Sequence, residues 1–415
     1  MKSKLGQIIN WLPTRFFYFL LPLCVFFLSF RQQYLGDASY FIEAGKGIIS
    51  GNNEFKVNAL HSGPLGVIFM AAFFGYLGIL SIFLVTFFNL LGIYSFTRIL
   101  LTGINEKYVF IVALFTLVSS PTREMLITGQ ITGIVMGLIA AGSYLLSKFR
   151  IQYFGLMPLV LAVELKPHFA LPLIFLTLVF SSAFNWGNLK RFSFLILLGH
   201  ILVNFHLRTI SEIDLIKNVL FLTDTKVTTF ERSIWTILDS QLLPYVSILL
   251  KILLIFSLIS FAVFSYKRGS FLQSSVTLIL IPSSQSYIHL YDFVWMLPVA
   301  YLLLHKRLLS VESLTIALVC ILMLPHPYSS LLNFILFSVI CLIILQFSNN
   351  FVNTFDRRNL ISTLITAAIL PVFYTSSWLS YQENEAIFHT IVVALFATQL
   401  IMKRKESPNS EITQP

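Results

Sequence analysis

Arg123, Lys166 and His289 are ionisable side chains at tight junctions between apolar runs, where charge is costly and therefore informative, and Asp37 lies in the polar stretch after the first run. A carboxylate in such a place can take a proton from a hydroxyl. A cation there can stabilise negative charge that grows as a bond breaks. A histidine offers a donor and an acceptor nitrogen, enough to hold a hydroxyl, an anion or a neighbouring carboxylate. Each residue also has a plainer reading. Asp37 just precedes a helical pattern, and as an N-cap it would accept backbone N–H bonds. Arg123 and Lys166 could snorkel to lipid headgroups, and Arg123 could instead pair with Glu124 or Glu164. His289 could cap a helix or line an interface. Glu124, His168 and Asp292 are weaker members of the same set, and the other histidines read as structural.

The elements that must position these groups are apolar. The 415 residues are 57% hydrophobic and 11% charged, with a mean hydropathy of +0.83. That composition predicts an integral membrane protein and excludes soluble enzymes and nucleic-acid-binding modules. A bilayer core of about 30 Å takes roughly 20 helical residues to cross, so the apolar runs predict about fourteen helical segments. The expected fold is an all-α, polytopic bundle, one domain over residues 1–402 with a polar tail at 403–415. The run at 65–97 is too long for one upright helix, and shorter runs ending in Pro or Gly predict broken or re-entrant helices. Cys24, Cys320 and Cys341 all lie in apolar runs and point to neither disulfides nor a metal motif. The first run, 16–30, lacks a small-residue cleavage site after it and reads as an uncleaved span.

Charge sets the expected orientation. The net charge of +10 comes from 28 Lys and Arg against 18 Asp and Glu. With the N-terminus inside, every compact basic pair falls on the cytoplasmic side, from Lys148/Arg150 through Lys190/Arg191 and Lys306/Arg307 to the C-terminal Lys403/Arg404/Lys405. Both termini are then cytoplasmic. The outer face receives the loops at 31–64 and 208–243, most of the acids, and the junctions holding Arg123, Lys166 and His289.

In the first outer loop, Phe41, Ala44/Gly45 and Ile48/Ile49 recur at helical spacing while Ser39, Glu43 and Lys46 face elsewhere. This predicts an amphipathic helix lying on the membrane surface, with Asp37 just before it. Asp37-x-x-Tyr40-x-x-x-Ala44 with Gly51 is similar to the first-loop signature of the polytopic GT-C glycosyltransferases. Gly129-Gln130 opening an apolar helix, Lys166-Pro167 at a mid-chain junction, and Ser283 to His289 extend the likeness, and together they most resemble glycosyltransferase family 87. Thr132 stands where that family usually has Asn, Ser284 and Tyr287 where it has Pro and Trp, and Glu231-Arg232-Ser233 where it often has Asn-Gln-Ser.

The resemblance implies a GT-C-type bundle in a bacterial plasma membrane. It implies transfer of a hexose, mannose in the related enzymes, from a polyprenyl phosphate to a glycolipid or glycan hydroxyl on the outer face, with inversion. In that reading Asp37 is the base, Arg123 and Lys166 neutralise the phosphate, Gln130 and His289 position substrate, and Tyr40 supports the loop. A sugar phosphate needs no general acid, because the phosphate leaves as a stable anion. The sequence shows neither a nucleotide-binding glycine loop nor a DxD motif, so no cofactor, metal or nucleotide sugar is expected, and no nucleic-acid partner. Two other classes fit the same composition: a lipid-linked sugar flippase or transporter, whose membrane charges would line a pathway, and a non-catalytic protein that binds glycolipid. No internal repeat between halves favours the transporter.

Overall fold

A computed structural model describes residues 36–50, 64–78, 80–149, 152–180, 186–211, 244–267 and 290–305. The described residues are helical, with no strand among them. In chain order the helices are α1 (Gly36–Ser50), α2 (Pro64–Met70) running into a π-helical turn (Ala71–Gly75), α3 (Leu80–Leu100), α4 (Glu106–Val118) and α5 (Ser120–Thr128). They continue with α6 (Thr132–Phe149), α7 (Gln152–Leu165), α8 (Pro167–Phe180), α9 (Trp186–Ser211), α10 (Pro244–Lys267), a 3-10 turn (Leu290–Phe293) and α11 (Met296–His305). Helix α3 is the one described helix long and apolar enough to cross a membrane. Its 21 residues span about 31 Å at the α-helical rise, close to a bilayer core. Helices α6, α7 and α8 are apolar over shorter lengths.

Two long apolar runs are each divided. The run at 65–97 becomes α2 with its π-turn and then α3, separated at Gly78, whose φ of +52° suits glycine. The run at 125–147 is broken at Gly129, φ +77°, so that α5 ends there and α6 begins afresh.

The chain divides into two compact units. The first takes in Met1–Ile99, Thr122–Thr177 and Ser181–Leu222, and its described core is built on close glycine contacts. Helices α6 and α7 pack against each other where Gly142 meets Leu159 and the Gly155 carbonyl, and where Gly155 meets Leu146. Helix α3 meets α6 where Gly92 abuts Gly133 and Gly137. Small residues let helix backbones approach this closely, which gains dispersion contacts. Buried hydroxyls on α3 are satisfied by their own helix: Thr86 donates to the Ile82 carbonyl at 2.9 Å and Thr97 to that of Ile93 at 2.8 Å.

Helix α1 forms over the stretch where the spacing predicts it, with Ser39, Glu43 and Lys46 exposed. Part of its apolar side is covered by protein. Phe41 packs on Phe74 with ring centroids 5.3 Å apart, and Gly45 lies against Gly75 of the π-turn, where glycine backbones meet. Phe41 and Gly45 are buried there, and Ile49 remains exposed.

The second unit takes in Leu100–Pro121, Leu178–Phe180 and Thr223–Pro415. In it α4 packs against α11, and the 3-10 turn buries Tyr291, Asp292 and Phe293 ahead of α11. Helix α10 exposes Tyr245, Leu249, Ile252, Phe256 and Val263, which at helical spacing form an apolar stripe along one side.

Candidate functional site

Within the first unit, three of the segments singled out from the sequence meet around the start of α6. Gly129 closes α5 in the left-handed region, and its N–H and that of Gln130 both donate to the Met125 carbonyl at 3.0 Å. A side chain on Gly129 would collide with Ala38, so the start of α1, beside Asp37, seats directly on this turn. Asp37 itself lies in the first turn of α1, as a backbone position.

The first N–H groups of α6 cannot be capped locally, because Ile131 precedes the helix and has no acceptor side chain. Tertiary groups do this instead. The Ile134 N–H donates to Asn89 Oδ1 at 2.8 Å and the Gly133 N–H to Met125 Sδ at 3.2 Å. Asn89 Nδ2 also donates to the Gln130 carbonyl at 2.6 Å. One buried amide of α3 thus holds both the Gly129-Gln130 turn and the helix that follows it.

Lys166 links this helix start to a second one. Its N–H donates to the Ala162 carbonyl, ending α7, and its own carbonyl accepts from Phe169 and Ala170, beginning α8. Pro167 follows at the first helical position, where its missing N–H costs nothing. The Lys166 ammonium donates to the Thr132 hydroxyl at 2.9 Å and lies 5.6 Å from the centre of the Phe169 ring. Glu164, two residues earlier and 1% exposed, accepts from the Leu65 N–H at 3.3 Å, holding the start of α2.

The other predicted residues lie elsewhere on these helices, in the second unit, or outside the described residues. Arg123 and Glu124 are half-buried on α5, in the first unit. Tyr40 lies on α1 and His168 in the first turn of α8, as backbone positions. Asp292 is buried in the 3-10 turn of the second unit. His289 and the rest of the Ser283 block lie outside the described residues, as does the Glu231-Arg232-Ser233 segment. Among the described residues, no group of three or more His, Cys, Asp or Glu side chains is placed to hold a metal ion.

Asn89, Thr132 and Phe169 were not among the sequence candidates. Asn89 carried a signal, as the one amide side chain in the run at 65–97: a buried amide in an apolar helix costs several kcal/mol unless it is bonded. Thr132 was noted only as standing where the resembling family has Asn, and Phe169 carried no signal as an ordinary residue of an apolar helix. Comparison with protein-family models, with curated proteins and with solved structures gives no match.

Proposed function

We propose that this chain is a polytopic membrane glycosyltransferase. It moves a hexose from a polyprenyl phosphate to a hydroxyl of a glycolipid or glycan on the outer face of the membrane. Asp37 accepts the proton of the acceptor hydroxyl, whose oxygen attacks the anomeric carbon opposite the phosphate. The bond to phosphate breaks, polyprenyl phosphate leaves as an anion, and the anomeric configuration inverts. Lys166 and Arg123 stabilise that anion, Gln130 and His289 position the sugar, and Tyr40 supports the first-loop helix.

The observation that carries this reading is the placement of the Lys166 ammonium. It lies on the first residue of α6 and on the chain that opens α8. A helix N-terminus carries roughly half a positive charge, so a cation there is on the wrong side of the dipole. A phosphate bound by the Lys166 ammonium would offset that like charge. The seat of α1 on Gly129 supports the same reading, because it brings the backbone of the Asp37 segment to the turn that opens α6.

Asp37→Asn tests the mechanism, because Asn can replace Asp as a helix-end residue but cannot take the proton. The expected result is normal membrane insertion and thermal stability, with transfer reduced on the order of 10²-fold or more. A folded Asp37→Asn protein with near wild-type transfer would remove the base and the mechanism with it.

A further inference from the structure

We infer that Thr132 is a positioning residue whose hydroxyl aims the Lys166 ammonium, and that Asn89 holds Thr132 in place to do so. The inference rests on the reading of Lys166 as the cation that receives the donor phosphate. A lysine stem has four rotatable carbons, and an ammonium without orienting contacts must lose that freedom when an anion docks. Two of its contacts are to neutral groups. The Thr132 hydroxyl accepts from Nζ at 2.9 Å, and the face of Phe169, three residues along the chain, lies 5.6 Å away.

Thr132 is itself fixed from both sides. Asn89 Nδ2 binds the carbonyl two residues before it, at Gln130, and Asn89 Oδ1 binds the N–H two residues after it, at Ile134. Both Asn89 and Thr132 are fully buried. Gly133, next in sequence, lies so close to the backbone of Asn89 that any side chain there would collide with it. The path of control runs from an amide on α3, through the first turn of α6, to a lysine between α7 and α8. It uses a threonine where the resembling family has asparagine.

The test uses the purified full-length chain and sugar-free polyprenyl phosphate as the binding probe, alongside transfer kinetics. Thr132→Val keeps the shape and removes the hydroxyl, Thr132→Ser keeps the hydroxyl, and Lys166→Met removes the charge. Thr132→Val is expected to weaken phosphate binding about tenfold and raise donor KM similarly, with kcat changed less, as expected for a lost bond to a charged group. Thr132→Ser should restore binding to within about threefold, a rescue that a packing role for the methyl group would not give. Should Val disturb the fold, Thr132→Ala measures the same loss of the hydroxyl. If Lys166→Met weakens binding while Thr132→Val and Thr132→Ala do not, the positioning role is wrong and the donor reading survives. If Lys166→Met also binds polyprenyl phosphate normally, both fall.

Discussion

Asn89 sits inside an apolar helix with both functions of its amide engaged, and this accounts for a polar residue where a leucine would otherwise pack. Asn89→Leu would leave a buried carbonyl at Gln130 and a buried N–H at Ile134 without their partner. Each such loss costs about 1–3 kcal/mol. The variant should melt cooperatively at a clearly lower temperature, by scanning calorimetry or intrinsic fluorescence of the purified protein. An unchanged midpoint would mean that the start of α6 is held by other contacts. At this scale the sequence was legible wherever a charge interrupted an apolar run. Lys166 stood out because apolar surroundings make ionised groups expensive, and Asp37 because it precedes a helical pattern in the first outer loop. Thr132 did not, because threonine in an apolar helix commonly bonds its own backbone, as Thr86 and Thr97 do here. Only three-dimensional contact with a lysine 34 residues away sets it apart.

At the scale of elements, hydrophobic spacing located α1 but not what covers it. Periodicity reports which side of a helix is apolar and is silent on whether lipid or protein lies against that side. The glycines carry the missing information, because Gly45 and Gly75 meet backbone to backbone. A Cβ on Gly45 would lie 2.6 Å from the Gly75 nitrogen and 2.9 Å from its Cα, atoms that cannot rotate away. Gly45→Ala should therefore lift α1 from the π-turn, speeding amide exchange across 36–50 while leaving the α6–α7 pair as protected as before. Transfer should fall with it, since α1 bears Asp37. Wild-type exchange across α1 in this variant would show that the contact does not hold the helix. The breaks at Gly78 and Gly129 were partly legible, the first because its run was too long for one helix. The second was marked in the sequence by the Gly129-Gln130 pair at a helix opening, and its positive φ shows why glycine stands there.

At the scale of the whole molecule, the proposal joins a composition suited to lipid with a cluster in which Lys166, Thr132, Gln130 and the start of α1 come together. Composition and charge pattern made the all-helical class and the junction residues accessible from sequence. The placement of substrate groups is not written in either, since it depends on which helix ends converge. The central claim is that a lipid phosphate, not a nucleotide, delivers the sugar. The direct measurement uses purified protein in liposomes, given synthetic polyprenyl-phosphate hexose and a glycolipid acceptor in the presence of a metal chelator, with products read by mass spectrometry. The account predicts a glycolipid one hexose heavier and release of polyprenyl phosphate. Turnover with a nucleotide sugar only, or passage of the lipid-linked sugar across the bilayer with no product, would contradict it.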